Sequence, residues 1–197
     1  MVPIYLNGKS GKAGDSFEQF SHEFMAICRS HQEEARALAF AFILYDFDHP
    51  QIAKLLRDAD YWKALNKISG KYLTVFSFLL RKPYGSFNDS RKFIKEHFAV
   101  ELPELNPSIL FFQVVNDHIS EPFIVEIRAE MQEEAFIEVK SVLMDAVESV
   151  KEVRPEFRSN TTEIFNLIVN RLSQRKKFLR VKKVLAVAQS IRDIVSH

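Results

Sequence analysis

Three runs of nearly unbroken apolar residues constrain this fold most: ALAFAFILYD at residues 37–46, KYLTVFSFLL at 71–80 and SILFFQVV at 108–115. A strand with one wet face alternates apolar and polar side chains. A run without that alternation reads as a strand covered on both sides. Each run is well short of the roughly 20 apolar residues that a membrane-spanning helix needs. A fourth run, PFIVEIR at 122–128, follows the third after only NDHISE, and so short a connection makes the pair antiparallel. A sheet of this kind needs helices on both faces.

The intervening stretches supply them. From Ser16 to about Glu34, Phe17, Phe20, Phe24, Ile27 and Cys28 recur at helical spacing, with Asp15 or Ser16 as N-cap. Pro50 suits a first helical turn, and Ile52, Leu55, Leu56, Trp62, Leu65 and Ile68 continue as one or two helices ending at Gly70. Ser90 to Phe98 reads as a helix. So does Glu130 to Val153, with Ala135, Val139, Val142, Leu143, Ala146 and Val150 inward, until Arg154-Pro155 breaks it. VPIYL at residues 2–6 suits a short strand. The chain thus divides into an N-terminal loop and helix (1–36), an α/β core (37–153) and a C-terminal helical extension (154–197).

The extension carries two apolar stripes. Phe165, Ile168, Leu172 and Leu179 share one face; Val181, Val184, Leu185, Ala188, Ile191 and Val195 lie nearly opposite, with the phase change near Ser173–Lys177. The first stripe is expected to pack with the Ser16–Glu34 helix. The second then needs another surface, which makes a two-fold homodimer through the C-terminal helices the expected assembly.

Charge is balanced overall, at +1, but segregated: residues 101–157 hold 13 acidic and 4 basic side chains, residues 160–197 hold 2 and 8. RLSQRKKFLRVKK at 171–183 places Arg171, Arg175 and Lys182 on one helical face, a candidate basic patch for phosphates. No aromatic stacking set accompanies it. Salt bridges to the acidic 130–156 helix, in the same chain or a neighbour, are the stronger expectation, and nucleic acid is not the expected partner. The single cysteine, Cys28, excludes an internal disulfide, and its apolar helix face marks it as a core residue. With no signal-like segment at its start, the chain reads as cytoplasmic.

The catalytic motifs fall short one by one. Gly8, Gly11 and Gly14, with Lys9 and Lys12, resemble a phosphate-binding loop, but Asp15 follows where a Walker loop needs Lys-Ser/Thr. His22-Glu23 opens like a zinc-protease helix, but Ala26 stands at the second histidine's position. The six histidines show no paired metal spacing, so neither a metal nor a cofactor is expected.

The stretch FILYDFDHPQ carries two family resemblances. Its Asp-x-Asp at a strand end resembles motif I of the haloacid dehalogenase superfamily, which implies a Mg²⁺-dependent phosphatase with Asp46 as nucleophile and Asp48 as acid/base. Ser77 in TVFS resembles motif II. Pro50 departs from the pattern, and VVNDH offers only Asp117 as a later acid. The second resemblance covers about residues 37–153: the order β, α, β, α, β, β, α resembles the thioredoxin-like superfamily. FDHPQ falls where thioredoxins hold Trp-Cys-Gly-Pro-Cys, so Phe47 matches the Trp and Pro50 the Pro. NPSILFF resembles the segment with the family's cis-proline, which would be Pro107. Asp48 and Gln51 replace both cysteines, and neither can perform thiol–disulfide exchange. The resemblance implies a redox-inactive, non-catalytic binding or assembly module with a protein partner. Its groove would lie between Phe47, Asp48, His49 and Pro50 on one side and Asn106 and Pro107 on the other.

Overall fold

A computed structural model describes residues 2–4, 17–34, 37–44, 50–70, 72–78, 94–98, 107–115, 118–120 and 122–175. The chain is a mixed α/β protein. Its strands are β1 (Val2–Ile4), β2 (Ala39–Leu44), β3 (Leu73–Phe78), β4 (Ser108–Phe112), β5 (Val114–Val115), β6 (His118–Ile119) and β7 (Phe123–Glu126). Its helices are α1 (Phe17–Glu33), α2 (Pro50–Arg57), α3 (Ala59–Ser69), α4 (residues 94–98), α5 (Gln132–Lys151) and α6 (residues 161–175), with a 3-10 turn at Pro155–Phe157. Five strands form one sheet in the order β1-β3-β2-β4-β7. The β1, β2 and β3 strands run parallel; β4 is antiparallel to β2, and β7 to β4.

The unbroken apolar runs are explained by two different cores. Alternate residues Ala39, Ala41, Ile43, Leu73, Val75, Ile109 and Phe111 face α2, α3, α5 and α6. The others, Phe40, Phe42, Leu44, Phe76, Leu110 and Phe112, face α1 and α4 through Phe24, Cys28, Ile94 and Phe98. Small alanines thus lie under the crowded helical layer, and large rings fill the face with fewer helices. Phe24 is central there, with ring centroids 4.9 Å from Phe76 and 5.9 Å from Phe112. Phe98 meets Phe112 edge-on at 4.9 Å. Such pairs contribute about 0.5–1.5 kcal/mol beyond burial. Truncating one fully buried ring would cost about 3–5 kcal/mol.

The two-helix reading of residues 50–70 is resolved by Asp58. It adopts extended backbone and its carboxylate accepts the amides of Asp60 and Tyr61, so α2 stops and α3 starts there. At the far end Gly70 takes φ +51, a left-handed conformation that an L-residue's Cβ would strain.

Two expectations change. SILFFQVV is not one strand, because the ladder breaks at Gln113. The Gln113 amide donates to the Ser120 hydroxyl at 2.9 Å, and the Ser120 amide returns to the Gln113 carbonyl at 2.8 Å. The chain beyond it forms the small β5–β6 pair, with Val114–Val115 of SILFFQVV against His118–Ile119 of NDHISE. The second change concerns α6. Ile168 and Leu172 of the first stripe, with Ile164, are buried on the α5 side of the sheet, and Phe165 packs there too. That face is opposite to α1. A stripe shows which side of a helix is buried, not what covers it. The short 152–160 connection holds α6 beside α5, and Asn160 caps its start by accepting the Glu163 amide at 3.1 Å. Helix α6 runs through Ser173 without a break; Leu179 and the second stripe lie outside the described residues.

Candidate functional site

The register of β2 against β4 builds the end of the sheet where the groove was expected. Leu44, the last residue of β2, pairs with Ser108, the first of β4. Residues 45–49 connect Leu44 to Pro50, and Pro107 precedes Ser108, so both sides of the proposed groove are anchored at one end of the sheet. Pro50 opens α2 and is exposed. Pro107 is buried, and its carbonyl accepts the Ile127 amide at 2.6 Å. Gln51 is half-buried. Its Nε2 donates to the Ala129 carbonyl at 3.1 Å, tying the first turn of α2 to the segment after β7. The chemistry of this side chain is positional: a carboxamide bridging two elements is neither nucleophile nor base. Phe47, Asp48, His49, Asn106 and the Asp46 of the phosphatase resemblance lie outside the described residues.

Ser77, at the same end of β3, is fully buried, and among the described residues its hydroxyl has no hydrogen-bond partner. Such a group pays desolvation without return. Cys28 sits among the phenylalanines of the α1 face, wholly buried, and burial pushes its thiol far above the ordinary range. A thiol in that state is inert. Among the described residues no cluster of His, Cys, Asp and Glu could hold a metal ion, and no helix is long and apolar enough to cross a membrane.

Two members of the basic patch have their partner inside the chain. Arg175 reaches Asp145 of α5 at 2.7 Å and donates to the Ser141 hydroxyl at 2.6 Å. Arg171 approaches the other oxygen of Asp145 at 3.6 Å. These contacts bind α6 to α5, where the charge segregation placed a salt bridge; Lys182 lies outside the described residues.

A second polar constellation sits at the opposite end of the sheet, and the sequence motifs did not point to it. Gln113 is 2% exposed, and its Nε2 donates to the carbonyls of Leu38 at 2.8 Å and Thr161 at 3.3 Å. It joins the start of β2 to the start of α6. Beside it lies a cavity of about 390 Å³ between Gln32, Leu38, Tyr72 and the Arg158–Thr161 turn. The available signal was a lone glutamine inside an apolar run, a polar group that burial obliges to find partners. No family model matches this chain, and no curated protein or solved structure matches it.

Proposed function

We propose that the chain is a redox-inactive, thioredoxin-like protein acting as a non-catalytic binding or assembly module for a protein partner. The observation that carries the reading is the pairing of Leu44 with Ser108, which anchors the Pro50 and Pro107 segments at one end of the sheet. The order β2, α2/α3, β3, α4, β4, β7, α5, with the short β5–β6 pair inserted between β4 and β7, supports it, since the resemblance implies that succession. Asp48 and Gln51 in the cysteine positions argue against thiol exchange, and the chain's one cysteine, Cys28, is buried. Binding through such a groove needs only shape and a few fixed polar groups, and the Gln51–Ala129 hydrogen bond holds the first turn of α2 in place for it.

The test is an insulin-reduction assay with dithiothreitol beside a p-nitrophenyl phosphate assay with Mg²⁺. Neither should exceed its blank. Reduction that disappears in Cys28→Ser, or hydrolysis that disappears in Asp48→Asn, would replace the binding reading with an enzymatic one. The homodimer expected from the stripe at residues 184–195 belongs to the same reading. Light scattering of the intact chain at tens of micromolar should give twice the monomer mass, and a monomer would remove that part.

A further inference from the structure

We infer that the 390 Å³ cavity at the Leu38–Thr161 end of the sheet is a binding site for a small organic carboxylate, held by Arg158. The volume falls in the range of small-molecule sites, and its walls come from separate parts of the chain. Gln32 comes from the end of α1, Ala37 and Leu38 precede β2, Tyr72 precedes β3, and Arg158, Ser159 and Thr161 lead into α6. Those walls are fixed before any ligand arrives. The Leu38 amide donates to the Tyr72 carbonyl at 2.9 Å, and Gln113 clamps Leu38 to Thr161 from behind.

Arg158 is the residue that points to an anion. Arg128, Arg171 and Arg175 each hold a carboxylate of this chain. Arg158 is half-buried, and among the described residues its one hydrogen bond runs from Nε to the Val153 carbonyl at 3.3 Å. Both terminal nitrogens of its guanidinium are left for another acceptor. A guanidinium fork matches the two oxygens of a carboxylate, and partial burial strengthens that pairing. The Ser159 and Thr161 hydroxyls and the Gln32 carboxamide can share the remaining lone pairs. Ala37, Leu38 and the Tyr72 ring suit an apolar or aromatic body. Inorganic phosphate would leave that apolar surface unused, and its second charge would find no second cation among the described lining residues.

Titration of the full chain, followed by calorimetry and backbone amide shifts, tests the site with benzoate and inorganic phosphate as probes. Benzoate should saturate with a Kd near or below about 1 mM and shift the amides of Leu38, Tyr72 and Ser159. Arg158→Gln should weaken it at least tenfold, and Arg158→Lys should weaken it too, because an ammonium cannot fork. Thr161→Val keeps the helix start and should weaken binding several-fold, so it carries the test if Arg158→Gln does not fold. Failure of benzoate to saturate, unchanged affinity in the folded Arg158 or Thr161 variants, or phosphate binding as tightly as benzoate would each overturn the assignment.

Discussion

Gln113 donates one amide proton to Leu38 at 2.8 Å and the other to Thr161 at 3.3 Å, so a single buried side chain fastens the C-terminal helix α6 to the start of the central strand β2. Replacing it with alanine leaves two carbonyls without their donor and a void where the carboxamide was. Each unpaired buried acceptor costs about 1–3 kcal/mol. Gln113→Ala should therefore lower unfolding stability by about 2–4 kcal/mol. Urea denaturation measures it, and a change below about 0.5 kcal/mol, the usual range of surface substitutions, would show that the clamp is not a support.

The opposite sign is expected at Ser77. Its buried hydroxyl has no partner among the described residues, so removing the oxygen removes a desolvation penalty and leaves only a small void. Ser77→Ala should be neutral or stabilising by up to about 1 kcal/mol. A loss larger than about 1 kcal/mol in the same denaturation experiment would mean that the hydroxyl has an acceptor after all.

Asp145 of α5 gathers two arginines of α6, with Arg175 21% exposed and Arg171 55% exposed. The closer, more buried pair should dominate, because an exposed pair at 3.6 Å contributes little. Asp145→Asn should cost about 1 kcal/mol at low salt, with Arg171→Ala costing much less than Arg175→Ala. High salt should shrink the Arg171 effect first. Equal costs for the two arginines would contradict this ranking.

Cys28 gives a pH dependence of definite sign. Its thiol is held above the ordinary value by burial, so the folded state keeps the proton while the unfolded state loses it above about pH 8.5. The contribution of Cys28 to stability is full below that pH. It is lost as pH rises further, at up to about 1.4 kcal/mol per pH unit. The stability difference between the wild type and Cys28→Ala should be flat from pH 6 to 8 and turn against the wild type above pH 9. A difference curve that stays flat to pH 10 would indicate a thiol that ionises freely in the folded state.

Where local rules decide, the sequence was legible. The inward residues of α5, from Ala135 to Val150, follow from a 3.6 period with large apolar side chains, and all six expected positions are buried. The covered strands β2 and β4 follow from runs with no polar alternation. The rest depends on relations between distant residues. Nothing local in Phe165, Ile168 and Leu172 says whether α6 lies on the α1 face or the α5 face. The break in SILFFQVV depends on Gln113 meeting Ser120 across a tight turn and Leu38 and Thr161 at a distance, and the last two contacts lie in no window of sequence. The proposed groove rests on two prolines in an element order, and what the described residues add is that β2 pairs with β4 so that Leu44 meets Ser108. The Arg158 cavity had no motif, because its walls come from separate stretches of chain.

The binding reading is tested most directly by locating where a selected peptide touches the protein. A random peptide library panned against the intact chain should yield a binder, and its titration should shift the backbone amides of Leu44, Gln51, Ser108 and Ala129. Gln51→Ala should weaken it by about tenfold or more, near 1.4 kcal/mol. Shifts confined to α5 and α6, or a binder indifferent to Gln51→Ala, would contradict a groove between the Pro50 and Pro107 segments.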